Sequence, residues 1–129
     1  CADRSAKLLY GFAESGQRCH GVIVNSGNAN AMCGEQGIAD DEALAQSLAK
    51  AAGHQAAQIF TASTGPIGVP LRPERFIAKV EELAASADAT PEAVMRLADA
   101  IITTDTCTKV AHATVEIHGR PCRFLGVAK

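Results

Sequence analysis

The sequence predicts a mixed α/β fold in which helices pack against a sheet, and three kinds of pattern support this. Two short apolar runs, Gly21–Val24 and Ile59–Ala62, each end in small polar residues, as is typical of buried strands. The segments between and after them carry apolar residues three and four positions apart, the period of an amphipathic helix. Near the end of the chain, Val110–His118 alternates polar and apolar residues, which favours a strand. The resulting order, β-α-β-α-α-β-β, is that of a mixed α/β layer architecture, and we expect residues 1–129 to form a single domain.

The first strand is predicted to lead into a loop rich in glycine and asparagine, and then into a helix. Asn25–Asn30 and the glycines that follow favour a loop with positive φ angles. Asp40 or Asp41 is a suitable N-cap for the helix, because a short carboxylate accepts hydrogen bonds from the N–H groups of the first turn. Gly53 is a suitable C-terminal stop, since glycine adopts the left-handed conformation that often ends a helix.

The second strand is predicted to end at Ser63-Thr64-Gly65, and an irregular loop containing proline and glycine follows it. Pro73 suits the first turn of the second helix, where its missing N–H is not needed. The apolar face of this helix is predicted to comprise Phe76, Ile77, Val80 and Leu83.

The third helix is predicted to begin at Thr90, which serves as its N-cap, with Pro91 in its first turn. After this helix, the alternating segment Val110–His118 is predicted to turn at Gly119–Pro121 and to pair with Cys122–Val127. This arrangement is a β-hairpin.

Composition and charge exclude several classes of function. The chain carries 12 Lys and Arg against 14 Asp and Glu, a net charge of −2, and it has no basic block. Aromatic residues make up 4% of the chain and Trp is absent, so we expect no nucleic-acid partner. No apolar stretch is long enough to cross a bilayer, so we expect no membrane partner. The five cysteines are scattered without a C-x-x-C pair, which predicts a cytoplasmic protein without a metal site or a disulfide framework.

Thr64 and Gly65, at the exit of the second strand, are candidates for an oxyanion hole. A carbonyl attacked by a nucleophile becomes an oxyanion, and its stabilisation requires donors that are already in place. A Thr-Gly pair supplies two backbone N–H groups and a hydroxyl, and glycine lets the backbone approach the ligand closely. The alternative, and the more common meaning of such a short motif, is a turn that merely requires glycine.

Two further polar runs are candidates for binding. Thr103–Thr106 offers hydroxyls that could hold a polar, amino-acid-like substrate; the alternative is a helix C-terminus whose short side chains cap carbonyls. Asn25–Asn30 lacks the glycine spacing of the phosphate-binding loops. We expect its asparagine amides to tie a loop beside the site, with direct substrate contact as the less favoured alternative. Lys129, taken alone, is typical of a solvated charge.

The order and spacing of these signatures resemble those of the ornithine acetyltransferase (glutamate N-acetyltransferase) family of self-cleaving enzymes. The resemblance covers Gly21 to Lys129 and matches most of the family's α chain. The matching runs, in chain order, are Asn25–Asn30 with Gly34–Gly37, then Ala62–Gly68, Ile102–Thr106 and Gly126–Lys129.

In that family a precursor cuts itself before a threonine, and the freed threonine of the β chain becomes the nucleophile, with its own α-amino group as base. The resemblance implies that Thr64 and Gly65 form the oxyanion hole and that Thr103 and Lys129 bind substrate. It implies that the nucleophile is not in this chain, and we expect both the front strands and the segment up to the cut to be missing. The implied fold is the α-chain part of an N-terminal-threonine acyltransferase.

The implied reaction is a ping-pong transfer of acetyl from N2-acetylornithine to glutamate in arginine biosynthesis. The implied assembly is an α2β2 heterotetramer with the β chain of the same precursor. No cofactor or metal is implied, although acetyl-CoA serves some members as a donor. Two alternatives stay open: a related self-processing amidase or aminopeptidase that uses water as acceptor, and a non-catalytic α/β binding domain.

Overall fold

The computed structural model describes residues 18–129, and its internal contacts divide the chain into two compact units, Cys1–Ala87 and Asp88–Lys129. Helices and small sheets occur along the chain in the predicted order. The predicted mixed α/β class is therefore confirmed. That residues 1–129 form a single domain stays a prediction.

The first unit contains a β-α-β arrangement. Strand β1, Gly21–Ser26, and strand β2, Ile59–Thr64, pair in parallel, from Gly21 opposite Ile59 to Ser26 opposite Thr64. Parallel strands need a crossover connection, and helix α1, Gly34–Ala52, supplies it together with a short 3₁₀ turn at Ala56–Gln58. Both predicted strands are confirmed, and each continues two residues further, so the polar signatures begin inside the strands.

Helix α1 ends as predicted but begins earlier than predicted. Its last turn stops at Gly53, which has a left-handed φ of 72°. The prediction that Asp40 or Asp41 caps its N-terminus is wrong, because the helix begins at Gly34 and both aspartates lie inside it, 5% and 1% exposed.

Each of these two aspartates has a side-chain partner that replaces the expected capping bonds. The Thr61 hydroxyl on β2 donates to the Asp41 carboxylate, and the Gln36 amide donates to Asp40 at 2.7 Å. A buried carboxylate needs such donors. Asp41 therefore ties α1 to β2 instead of starting the helix.

The core of the first unit lies between α1 and the two strands. Its smallest members, Ala45 and Ala49, are fully or almost fully buried against Ile59, which is 1% exposed. Small residues on this helix face let it approach the sheet closely. Partly buried apolar side chains surround this cluster: Ile23, Leu48 and Ala56.

Helix α2, Glu74–Ala85, starts directly after Pro73, as predicted. Of its predicted apolar face, Val80 is buried, whereas Leu83 is 60% exposed. The described residues therefore cover only part of this face.

The second unit consists of a helix and a hairpin. Helix α3, Pro91–Ile101, is capped by Thr90, whose hydroxyl accepts from the Ala93 N–H at 3.3 Å. This confirms the predicted helix start. Strands β3, Lys109–Ile117, and β4, Arg120–Ala128, pair antiparallel, which confirms the hairpin.

The turn of this hairpin is shorter than predicted. It consists of His118 and Gly119, with φ angles of 51° and 73°, whereas Arg120 and Pro121 already belong to β4. The turn predicted at Gly119–Pro121 is therefore wrong. Two-residue turns with two positive φ angles match the twist of the strands they join, and this favours the tight form.

Candidate functional site

The candidate site of the first unit lies where two parallel strands end side by side. Asn25 is opposite Ser63, and Ser26 is opposite Thr64, so the loops that follow β1 and β2 leave the sheet at the same edge. The carboxyl ends of parallel strands are where open α/β sheets bind ligands. This placement brings the asparagine-rich loop next to the Thr64-Gly65 signature.

Gly65 holds these two loops in backbone contact. Its φ is +142°, and a Cβ atom placed on it would lie 2.5 Å from the Asn28 nitrogen and 2.6 Å from the Gly27 carbonyl carbon. No side chain fits at that distance. The Ala29 N–H also donates to the Pro66 carbonyl at 3.1 Å, which joins the loops just beyond Gly65.

The asparagine amides tie the loops, as predicted. The Asn25 amide donates to the Asn28 carbonyl at 2.8 Å, and the Asn28 amide donates to the Pro70 carbonyl at 3.0 Å. The first bond closes the β1 loop on itself, and the second crosses to the β2 loop. Side-chain amides and the backbone bond from Ala29 to Pro66 therefore hold the two loops together.

Asn30 connects the same loop to the end of β2 and to α1. Its backbone N–H donates to the Ser63 hydroxyl at 2.8 Å, and its side-chain amide donates to the Gly37 carbonyl at 2.6 Å. Asn30 is 3% exposed. Ser63, the residue directly before Thr64, is therefore anchored by a partly buried hydrogen bond.

Thr64 and Gly65 are half-buried at this anchored strand exit. A hydroxyl and backbone N–H groups fixed at a strand end are the kind of donors that stabilise an oxyanion, because they need no rearrangement as charge develops. That Thr64 and Gly65 form an oxyanion hole stays a prediction.

A cavity of about 120 Å³ lies nearby, between β1, α1 and α2. Ile23, Leu44 and Phe76 are among its mainly apolar walls, and Arg75 and Lys79 also line it. Apolar walls do not suit a charged amino acid. Asn25 also lines it, so the cavity borders the asparagine-rich run.

In the second unit, the two residues predicted to bind substrate contact each other. The Lys129 ammonium donates to the Thr103 hydroxyl, although the two residues are 26 positions apart in the chain. The same ammonium donates to Asp105 Oδ2 at 3.0 Å. Asp105 thus joins the pair into one cluster.

Asp105 was not among the residues that the sequence predicted for the site. Its Oδ1 accepts from the Lys109 ammonium at 2.7 Å, and its side chain is 12% exposed. Hydrogen bonds from Lys109, and then from Lys129, hold the pKa of Asp105 well below its usual range. The same contact raises the pKa of Lys109. The sequence does contain one indication of this ion pair: Asp105 is the only carboxylate in Thr103–Thr106, and Lys109 follows it four residues later.

The four predicted site residues therefore form two pairs, Thr64 with Gly65 in the first unit and Thr103 with Lys129 in the second. Within residues 18–129, no group of three or more His, Cys, Asp or Glu side chains is placed to hold a metal ion. In the same part of the chain, no helix combines the length and the apolar character needed to span a bilayer.

Comparison with known proteins identifies related sequences over most of the chain. The model of the ArgJ family matches residues 5–129. The arginine biosynthesis bifunctional protein ArgJ of Ruegeria pomeroyi is 40% identical over 99% of this chain, and the protein of the same name from Rhizobium meliloti is 45% identical over 84%. The chain spans only 32% and 26% of these two relatives.

Two solved structures share its fold. The arginine biosynthesis bifunctional protein of Bacillus halodurans aligns with a TM-score of 0.80 and 27% identity, over 97% of this chain and 64% of that one. The ornithine acetyltransferase of Mycobacterium tuberculosis, complexed with ornithine, aligns with a TM-score of 0.83 and 28% identity, over 98% of this chain and 64% of that one.

Proposed function

The chain belongs to the ArgJ family, and from that premise we propose that it is the α portion of a self-cleaving glutamate N-acetyltransferase (ornithine acetyltransferase) of arginine biosynthesis. The observation that carries the proposal is the close contact of Gly65 with the Gly27-Asn28 backbone, directly after Thr64. This close approach supports a strand exit whose backbone groups are held in place, as an oxyanion hole requires.

In the proposed first step, the hydroxyl of the β chain's N-terminal threonine attacks the acetamide carbon of N2-acetylornithine. The α-amino group of that threonine takes the hydroxyl proton. Thr64 and Gly65 stabilise the resulting oxyanion. The carbon–nitrogen bond then breaks, the ornithine amine receives the proton, and the acetyl group remains as an ester on the threonine.

In the second step, the amine of glutamate attacks this ester through a second oxyanion at the same place. The threonine oxygen leaves and regains its proton, and N-acetylglutamate is released. Binding both amino acids at one place suits a ping-pong reaction, because the acceptor enters only after ornithine has left.

Thr103 and Lys129 are proposed to bind the amino-acid part of each substrate. An ammonium group forms a strong, charge-assisted hydrogen bond with a carboxylate, and Lys129 offers one next to the Thr103 hydroxyl. The ornithine bound to the M. tuberculosis relative supports a ligand of this class.

The proposal includes an α2β2 assembly in the cytoplasm, and it requires neither a metal nor a resident cofactor. Acetyl-CoA is a second acetyl donor to be compared with N2-acetylornithine in the same assay. Cleavage and transfer are the two properties that define the proposed function.

The test is made on the full-length precursor that contains this chain. Intact-mass spectrometry should find two co-purifying chains, the second beginning with threonine. Incubation with N2-acetylornithine and isotope-labelled glutamate should then yield labelled N-acetylglutamate. Release of free acetate at a rate independent of glutamate would identify an amidase instead. A single uncut chain without transfer would overturn the proposal in favour of a binding domain.

A further inference from the structure

The Asp105 carboxylate is the point at which three parts of the second unit meet. Its Oδ1 accepts from Lys109 at 2.7 Å, at the start of β3. Its Oδ2 accepts from Lys129 at 3.0 Å, just after β4, and from the Thr103 N–H at 3.5 Å, just after α3. One side chain thus holds the helix end and both ends of the hairpin that carry the candidate substrate-binding residues.

The Lys129–Thr103 contact determines whether the Thr103 hydroxyl offers a ligand a hydrogen-bond donor or an acceptor. A hydroxyl has one proton to donate and can accept in addition. Because Thr103 accepts from the Lys129 ammonium, its own proton is directed to another acceptor. Thr103 and Lys129 therefore both present donors, and two donors side by side match the oxygens of a carboxylate.

The charges of the cluster support the same ligand. The ammonium groups of Lys109 and Lys129 together exceed the single carboxylate of Asp105 by one positive charge. An anion of one charge, such as the carboxylate of an amino acid, balances this excess. An ammonium group of the substrate would be repelled.

We propose that Asp105 is a positioning residue for substrate binding, which holds Lys129 against Thr103 so that the two present paired donors to the substrate carboxylate. Lys109 is the counter-ion that keeps Asp105 in place. This inference rests on the proposed function, and it assigns to Asp105 a role through Lys129 rather than through contact with the substrate.

Asp105→Asn in the full-length enzyme separates positioning from simple electrostatics. The variant makes the cluster more positive, so electrostatics alone predict tighter binding and a lower KM for N2-acetylornithine. Positioning predicts the opposite, a KM raised by about tenfold, as expected for the loss of one hydrogen bond to a charged group. The kcat should stay near the wild-type value, since the binding lost is common to ground and transition states.

Asp99→Asn is the matched control. Asp99 is in the same unit, and its carboxylate accepts from the Thr108 hydroxyl at 2.8 Å. Its donor is therefore a neutral hydroxyl, whereas Asp105 accepts from two lysines. Replacement of Asp99 should leave KM unchanged. Asp105→Glu should restore part of the lost affinity, because it returns the charge with an added methylene. A KM for Asp105→Asn at or below the wild-type value overturns the inference.

A second measurement does not depend on catalysis. Lysines of the full-length protein are labelled briefly with an amine-acylating reagent, and the rate at each lysine is followed by mass spectrometry. Asp105→Asn should raise the rate at Lys129 several-fold and leave Lys79 unchanged, since Lys79 is exposed and pairs only with Glu82 among the ion pairs described for residues 18–129. An unchanged rate at Lys129 overturns the inference even if a variant is not cleaved.

The two measurements also distinguish the failure of this inference from that of the proposed function. A wild-type protein that transfers no acetyl group contradicts the proposed function, while the labelling of Lys129 still decides the role of Asp105. An active wild type with an unaffected Asp105→Asn variant contradicts the inference alone.

Discussion

Gly65→Ala should reduce turnover severely, and the structure gives the size of the distortion. The added Cβ would lie 2.5 Å from the Asn28 nitrogen, whereas ordinary contact begins at 3.4 Å, so the two loops would have to separate by about 0.9 Å. The atoms in the way belong to the backbone and cannot rotate aside. A φ of +142° adds strain of about 1–3 kcal/mol for a residue with a side chain.

A shift of this size at an oxyanion hole acts mainly on the chemical step. A misplacement of 1 Å costs about 100-fold in rate, and the loss of one oxyanion donor costs about 100- to 1000-fold in kcat. We therefore expect kcat for acetyl transfer to fall by about 100-fold or more, with a much smaller change in KM. The free energy of unfolding should fall as well, because the loops are no longer in contact.

The assay is the initial rate of N-acetylglutamate formation at varied N2-acetylornithine, with self-cleavage followed by gel and stability by thermal unfolding. Gly68→Ala is the matched control, since Gly68 is in the same loop with a φ of +78°, but a Cβ there would meet nothing within 4 Å. It should lose about 1–2 kcal/mol of stability and little turnover. Wild-type kcat in a folded Gly65→Ala, or equal losses in both variants, would show that the close contact of Gly65 with Asn28 is not needed for turnover.

Four further predictions concern single contacts. Thr64→Ala should lower kcat by about 100-fold while KM changes little; unchanged turnover in a folded variant would remove its hydroxyl from the oxyanion hole. Lys129→Ala should raise KM for both N2-acetylornithine and glutamate, and a shift for neither would exclude it from substrate binding. Thr61→Val should lower the free energy of unfolding in urea by about 1–3 kcal/mol, because a buried carboxylate loses a donor; an unchanged midpoint would show that the bond to Asp41 contributes nothing. Folding lowers the pKa of Asp105 from about 3.8, because Lys109 and Lys129 donate hydrogen bonds to its carboxylate. The ionised carboxylate therefore contributes its full stabilisation above about pH 3.8, and this stabilisation is lost as the pH falls further. The stability difference between wild type and Asp105→Asn should therefore be constant from pH 7 to about pH 4 and shrink below; a difference that grows on acidification would contradict this.

Several elements could be predicted because their causes are local. The runs at Gly21 and Ile59 form strands, Gly53 ends a helix, and Thr90 caps one. Each depends on a few neighbouring residues and on the φ angles those residues allow. The role of the asparagine amides in tying the loop could also be predicted, since amide side chains readily form hydrogen bonds with backbone groups in turns.

One incorrect prediction concerns a residue whose partner is distant in sequence. Asp41 is a suitable cap by its chemistry, but its partner is the Thr61 hydroxyl, 20 positions away. Only folding brings that hydroxyl to the helix. The hairpin turn was placed too late for a different reason: a single residue, His118, adopts a positive φ, which is uncommon for residues other than glycine.

The order of helices and strands, the family resemblance and the candidate residues Thr64, Gly65, Thr103 and Lys129 could all be identified from the amino-acid sequence. Which of these groups contact each other is visible only in the folded chain. The contact of Gly65 with the Asn28 backbone and the bonds of Asp105 with Lys129 each join segments more than 20 positions apart. Such contacts depend on how strands pair and how a hairpin closes, and no local propensity encodes them.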